Sequence, residues 1–304
     1  MEVVSLFSGC GGTDLGFEKA GHQVIWANDS SINACETYEE NLGLEIEPCD
    51  IRKVKSFPEA EILLGCYPCQ GFSLYGTREK TDPRNFLFLE FARALSSIKP
   101  KFFLAENVKG LLFGFGKDFL IDMLKTFRKR GYDVNYKIIN AKDYGVPQDR
   151  ERVFIVGVRK DLHKTYNFPE PTHGPNAKPY RTLRDAIGSF SKPRKGDVSQ
   201  ASFSSHYMSR NRKRAWDEVS FTIQASGRQA PLHPSGAPMV FLKKDKCRFG
   251  EAPNRRLSYK ECAAIQTFPK GFKFTGALDS KYKQIGNAVP PKLSKILAES
   301  LESM

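Results

Sequence analysis

This 304-residue chain predicts an α/β fold, a mainly parallel sheet with helices on both faces, followed by a smaller irregular domain. Three observations carry the expectation. Strand-like and helix-like stretches alternate through the first 160 residues. Prolines then cluster as regular periodicity lapses, and a helical stretch returns at the C-terminus.

The elements follow in order. VVSLF is an apolar run bounded by Ser-Gly, and the stretch from Thr13 to Gly21 reads as a helix. QVIWAND is the second strand, SINACETYEENLG a helix, EILLGC a strand, NFLFLEFARALSSIK a helix and KFFLAENV a strand. GKDFLIDMLKTFRKRG is amphipathic, with its basic residues at the C-terminal end where the helix dipole favours cations. YDVNYKIINA and RVFIVGVRK close the alternating region as strands. From about Asn167, Pro169, Pro171, Pro175 and Pro179 fall within a dozen residues and suit a linker. Segment 180–275 lacks long helical periodicity, and PPKLSKILAESLE is helical again with Pro at its start, where Pro is tolerated.

Composition narrows the function classes. No apolar run reaches the ~20 residues a bilayer-spanning helix needs, and Glu2 and Ser5 interrupt the only candidate signal segment. Seven cysteines, odd in number and scattered, suit a reducing setting, so a soluble cytoplasmic protein is expected. Net charge is +13, and residues 201–260 carry twelve Lys/Arg against four Asp/Glu. That block alternates Arg with Ser, Thr, Gln, Gly and Pro, unlike a membrane-surface helix, and favours a nucleic-acid partner over a merely solvated face.

Two motifs carry chemistry. FSGCGGTDLG, Phe7 to Gly16, links the first strand to the first helix, and Asp29 ends the next strand twenty residues beyond Gly9. Such glycines let backbone approach a ligand, and an acid at the second strand tip suits a ribose. The G-x-G-G spacing differs from the dinucleotide pattern. It suits a ligand with a ribose but no pyrophosphate, such as S-adenosylmethionine, or a plain tight turn. In GCYPCQGFS, Cys66 and Cys69 form a single CxxC. With no second CxxC and no nearby H-x₃₋₅-H, zinc is disfavoured, and a redox dithiol competes with one working nucleophile. Cys69 follows Pro68 at the end of a strand, the edge where open α/β sheets bind ligands, and the next strand ends in Glu106-Asn107-Val108. Gly71, Gly76 and the polar TREKTDPRN suit a flap.

Six segments occur in one order: Phe7-Ser8-Gly9-Cys10-Gly11-Gly12, Pro68-Cys69-Gln70, Glu106-Asn107-Val108, Gln148-Asp149-Arg150-Glu151-Arg152, Arg255-Arg256-Leu257-Ser258 and Gly286-Asn287-Ala288-Val289-Pro290. The set resembles the DNA (cytosine-5)-methyltransferase family from end to end. The resemblance implies a Rossmann-like, S-adenosylmethionine-dependent catalytic domain over 1–166 and 281–304. It also implies a target-recognition domain over 167–280 and a last helix packed beside the first motif. Cys66-Tyr67, where relatives commonly carry Gly-Pro, and Asp149, where a basic residue is frequent, depart from the pattern.

The resemblance also implies a mechanism. Cys69 attacks C6 of cytosine, so its thiol must ionise partly from a free value of about 8.5. Glu106, with a carboxyl held above the usual ~4.3, bonds N3 and the exocyclic amine. Arg152 bonds O2, and Arg150 of the same motif joins the catalytic set. Phe7, Gly9, Gly11, Gly12, Asp29, Asp50, Pro68, Asn287 and Val289 are implied to hold the methyl donor. The cytosine must leave the stack, at a few kcal/mol. Gln70 and Ser73 of the following loop then contact DNA, and Thr222 holds the displaced phosphate. MSRNRKRAW and SFTIQASGRQAPLHP resemble the recognition region of bacterial methyltransferases acting on GGCC, with Arg210, Arg212 and Arg228 at the guanine-contacting positions. The partners implied are double-stranded DNA and a separately acting restriction endonuclease, with the enzyme itself a monomer. An RNA cytosine methyltransferase and a catalytically idle DNA-binding protein are the alternatives.

Overall fold

A computed structural model describes residues 1–68 and 81–302. The chain divides into two compact units. One comprises Met1–Asn140, Glu151–Glu170 and Leu293–Met304, and the other Ala141–Arg150 and Pro171–Lys292.

The first unit is built on a six-stranded sheet. Its strands are β1 (Glu2–Leu6), β2 (Gln23–Asn28), β3 (Ile62–Gly65), β4 (Phe102–Val108), β5 (Tyr132–Asn140) and β6 (Glu151–Arg159), in the order β2-β1-β3-β4-β6-β5. β1 pairs in parallel with β2 and β3, and β3 with β4, while β6 runs antiparallel between β4 and β5. The helices are α1 (Gly12–Lys19), α2 (Ile32–Leu42), α3 (Phe88–Ile98) and α4 (Gly116–Lys129). The mixed, mainly parallel α/β sheet expected from the alternation is therefore present. Apolar runs bury the strands: Val3, Val4, Leu6, Ile62, Leu63, Phe103, Leu104, Val153 and Phe154 are inaccessible to solvent. α3 and α4 close one face through Phe91 and Phe127, whose rings lie 5.6 Å apart and both edge onto Phe103 of β4.

In the second unit, α5 (Leu183–Ile187) and α6 (Tyr259–Ile265) each begin with a capping box, Thr182 with Asp185 and Ser258 with Glu261. β7 (Val240–Lys243) and β8 (Lys246–Arg248) form a hairpin, and α7 (Leu278–Asn287) follows. The rest is loop and short 3₁₀ turn, as the lapse of periodicity predicts. α8 (Pro291–Glu302) is the terminal helix. In the first unit it buries Leu293, Leu297 and Leu301 at four-residue spacing, and its Ser294 Oγ donates to the Thr13 carbonyl of α1 at 2.6 Å. Among the described residues no helix is long and apolar enough to cross a membrane.

Candidate active site

Strand register assembles one rim of the first unit. Leu6 pairs with Asn28 and Gly65, and Gly65 with Ala105, so the carboxyl ends of β1 to β4 share an edge. β6 runs the other way and pairs Arg152 with Val108, which brings its start to the same edge. Phe7, Gly9, Gly11, Gly12, Asp29, Pro68, Glu106 and Arg152 are thereby gathered. Cys69, Gln70 and Ser73 lie outside the described residues.

The turn after β1 is strained. Phe7, Gly9 and Gly11 have φ of 56°, 57° and 83°. Glycine adopts this region freely, but for phenylalanine it is an outlier costing on the order of 1–3 kcal/mol. Ser8 holds the turn down: its N–H donates to the Asn28 carbonyl at 2.9 Å and its hydroxyl to the Ser5 carbonyl at 3.0 Å. A Cβ on Gly9 would meet nothing within 4 Å, so this turn presents open space as well as bare backbone. Gly9 N–H donates to Asp29 Oδ2 at 2.9 Å and Ser31 N–H to Oδ1 at 2.8 Å, fixing the carboxylate beside the glycines. The Asn28 amide donates to the Glu47 and Cys49 carbonyls, both at 2.9 Å, which draws the loop carrying Asp50 towards the end of β2. Hydrogen bonds from Arg52 lower the Asp50 carboxyl to about 2, so it is charged at neutral pH.

A buried polar chain, unread in the sequence, underlies this turn. Asp14, fully inaccessible, accepts from Ser5 Oγ and Tyr38 Oη at 2.8 Å each. Burial raises its carboxyl from 3.8 to about 7 against the lowering effect of those two donors.

At the other end of the rim Glu106 is buried and pairs with Arg152, Nε to Oε1 at 3.0 Å. Side chains repeat every two residues along a strand. Glu106 and Val108 therefore share a face, as do Arg152 and Phe154, and the Arg152–Val108 register makes Arg152 a diagonal neighbour of Glu106. Arg152 also donates to the Glu151 carbonyl at 2.8 Å. Burial first, and the Glu106 charge second, push the Cys66 thiol up, the reverse of what a redox dithiol nucleophile requires. Tyr67 turns into the core: its ring lies tilted against Phe91 at 5.8 Å and edge-on to Phe7 at 6.3 Å, and its hydroxyl reaches the Met123 sulfur at 3.5 Å. The departure at Tyr67 thus places a large ring behind the rim rather than in it.

The second unit holds the remaining residues. Arg150, implied to be catalytic, is instead buried in that unit's interior. Its guanidinium donates to the carbonyls of Ile223 (3.2 Å), Gly286 and Ala288 (3.0 Å each). Gln148 accepts from Ile223 N–H at 2.7 Å and donates to Gln266 at 2.8 Å. Two segments distant in sequence are therefore one assembly, with Asn287 exposed at the end of α7 and Val289 buried. Gly286 is demanded by clearance, since a Cβ would sit 2.3 Å from the Ala225 nitrogen. Thr222 gives its hydroxyl proton to the Asp149 carbonyl at 2.6 Å, and Asp149 faces Lys142 at 3.5 Å. Arg210 and Arg228 are exposed. Arg212 is not: its guanidinium is buried over Tyr207 and donates to the Tyr207 and His206 carbonyls at 2.9 and 3.1 Å. In this conformation Arg212 supports the segment bearing Arg210 rather than standing beside it. Arg256, also buried, donates to the Arg228 carbonyl at 3.1 Å and so positions that loop, while Arg255 clamps Glu261 through two 2.7 Å bonds.

One edge of a mainly parallel α/β sheet thus carries a strained glycine turn, a carboxylate suited to a ribose and a buried Glu–Arg pair. Residues 1–303 match the model of the C-5 cytosine-specific DNA methylase family, and the chain belongs to it. It is a DNA (cytosine-5)-methyltransferase of the restriction–modification type. The type II methyltransferase M.BsuRI of Bacillus subtilis is 46% identical over 346 residues, covering 99% of this chain and 79% of its own. M.MthTI of Methanothermobacter thermautotrophicus is 43% identical over 326 residues, covering 99% and 97%. Among solved structures, a prophage-encoded E. coli chain assigned to DNA modification methyltransferases superposes with a TM-score of 0.75 at 22% identity, covering 100% and 99%. The S. pombe Dnmt2 methyltransferase does so at 0.70 and 17%, covering 100% and 98%; both likenesses concern the fold.

The first unit's residues fit the family's cofactor. The open space above Gly9 admits a ligand against bare backbone, and the Asp29 carboxylate is held beside it by the Gly9 and Ser31 N–H groups.

Proposed function

We propose that the enzyme methylates C5 of a cytosine flipped out of duplex DNA, with Cys69 as a transient covalent nucleophile. The observation that supports this reading best is the buried Glu106–Arg152 pair on the rim shared with the glycine turn and Asp29. Phe7, Gly9, Gly11, Gly12, Asp29, Asp50 and Pro68, with Asn287 and Val289 of the second unit, are the residues proposed to hold S-adenosylmethionine, whose sulfonium supplies an electrophilic methyl group. The Cys69 thiolate bonds C6, and the displaced electron pair makes C5 an enamine carbon. Glu106, in its acid form, donates to N3 and offsets the charge arriving there, and Arg152 donates to O2. After methylation C5 gives its proton to solvent, the electron pair expels the Cys69 thiolate from C6, N3 returns its proton to Glu106, and the aromatic ring is restored. Arg150 positions the Gly286–Ala288 segment and touches no reacting atom in this scheme.

The first unit is proposed as the catalytic domain and the second as the target-recognition domain. Gln70 and Ser73 would contact the DNA behind the flipped base. Arg210 and Arg228 are proposed to bond guanines of a short GC-rich site, with GGCC the expected sequence. Arg212 reaches a base only by leaving its two carbonyls, and Thr222 reaches a phosphate only by releasing Asp149. A cognate endonuclease acting separately on the same site is the protein partner we propose.

Bisulfite sequencing of plasmid from cells expressing the protein tests activity and site together. Protected cytosines at one motif are expected, and none with Cys69→Ser. A duplex carrying 5-fluorocytosine at the target should trap the protein through Cys69; active enzyme without an adduct there would overturn the mechanism.

A further inference from the structure

The mechanism leaves the β7–β8 hairpin unused. It turns through Lys244-Asp245, with Asp245 at φ 57°, and only Cys247 of its two strands is buried. Lys243, Lys244, Lys246 and Arg248 are all exposed, with Asp245 the one acid among them. Beside these cations stand three consecutive exposed apolar residues, Val240 (37%), Phe241 (70%) and Leu242 (47%). Lysines alone on an exposed edge are a common device against aggregation. Three adjacent apolar side chains work against that purpose and mark a contact surface instead.

Position within the second unit says what is contacted. Phe241, Lys244 and Cys247 line a cavity of about 530 Å³ together with Arg210 and Asn211. The hairpin is tied to the segment bearing Arg210: Arg212 N–H donates to the Met239 sulfur at 3.2 Å, directly before β7. The cation-rich hairpin therefore continues the surface that carries Arg210. We propose that it is a clamp on the duplex backbone. Lys243, Lys244, Lys246 and Arg248 neutralise phosphates flanking the base pairs that are read, and Phe241 packs on deoxyribose between them. Charge selects this occupant, because four cations against one acid suit a polyanion and repel a second copy of a chain of net charge +13. The inference rests on the second unit being the target-recognition domain.

The test is equilibrium binding of target and scrambled duplexes by wild type and by Lys243→Ala/Lys244→Ala/Lys246→Ala/Arg248→Ala, across a salt series. Each lost phosphate contact removes about 0.9 from the slope of log affinity against log salt, so a reduction of about 2–4 is expected. Affinity should fall to the same extent on both duplexes, and the bisulfite motif should stay the same. Phe241→Ala, with an unchanged melting temperature, should weaken binding and leave the slope alone. An unchanged slope in the quadruple variant, with methylation intact, overturns the clamp and spares the functional reading. Selective loss of target preference would make the hairpin a base reader and also overturn it. A wild-type dimer that dissociates in Phe241→Asp, with DNA binding unaltered, would assign the face to a protein interface. Failure of the wild type to bind DNA would sink the clamp and the recognition domain together.

Discussion

Replacing Asp14 by asparagine should remove a pH-dependent loss of stability that the wild type carries. Asp14 is fully buried beneath the glycine turn, and its two hydroxyl donors only partly offset the desolvation that raises its carboxyl from 3.8 to about 7. The sign follows from proton counting. Between pH 4 and 7 the folded chain keeps a proton that the unfolded chain has lost, so stability falls as pH rises. The contribution is intact below the unfolded value and gone above the folded one. A shift of roughly three units at about 1.36 kcal/mol each amounts to about 4 kcal/mol in full, of which about 2–3 kcal/mol falls between pH 5 and pH 8. Urea unfolding of both proteins at pH 5, 6, 7 and 8 gives the comparison. The stability of Asp14→Asn relative to wild type should climb through this interval and level off above pH 7. A difference that stays flat, or that falls with pH, would mean that Asp14 is ionised at low pH like an exposed carboxylate and that the burial argument is wrong.

Other outcomes follow from single contacts. Arg150→Ala removes the guanidinium from the Ile223 and Gly286 carbonyls at ~1–3 kcal/mol each, while the Ala288 carbonyl keeps the Gln266 amide at 3.2 Å, and should lower the melting temperature by about 10 °C. Gly286→Ala forces a Cβ to within 2.3 Å of backbone and should cost at least ~1–3 kcal/mol by the same thermal assay. Tyr67→Ala empties a site against Phe91 and Met123 and should cost ~3–5 kcal/mol in urea unfolding. Cys66→Ser should leave methyl transfer from a tritiated donor near wild type, whereas Cys69→Ser should abolish it.

The contrast between Arg152 and Arg150 illustrates what the sequence could and could not disclose. Strands buried on both faces read as apolar runs, so β1, β3, β4 and β6 are legible, and a carboxyl edge bearing Phe7, Asp29 and Glu106 follows from parallel order alone. The neighbour of Glu106 does not follow. It depends on β6 entering antiparallel between β4 and β5, a pairing decided by long-range packing that no local pattern encodes. Likewise, Arg150, Arg212 and Arg256 lie in basic, motif-bearing stretches indistinguishable by composition from those of Arg210 and Arg228. Only tertiary structure reveals that the first three spend their donors on carbonyls. The capping box of Ser258 and Glu261 was a readable signal of a helix inside the irregular segment, and α6 begins there.

Those buried guanidiniums explain how an irregular unit can present a defined surface. A domain poor in sheet and long helix leaves many backbone carbonyls without ladder partners, and each would cost free energy if buried alone. Arginine, with five donors in a rigid fork, satisfies several at once and ties distant segments together. Arg256 spans Arg228, Ala201 and Ser202, and Arg150 spans Ile223, Gly286 and Ala288. Part of the excess of cations over acids in residues 201–260 is therefore internal scaffolding rather than a field directed at a ligand. Charge counts from sequence overstate the binding surface: of the exposed cations in this block Lys260 pairs with Asp197 at 3.1 Å, and Arg210, Arg228 and the hairpin's four are the ones proposed above to meet a polyanion.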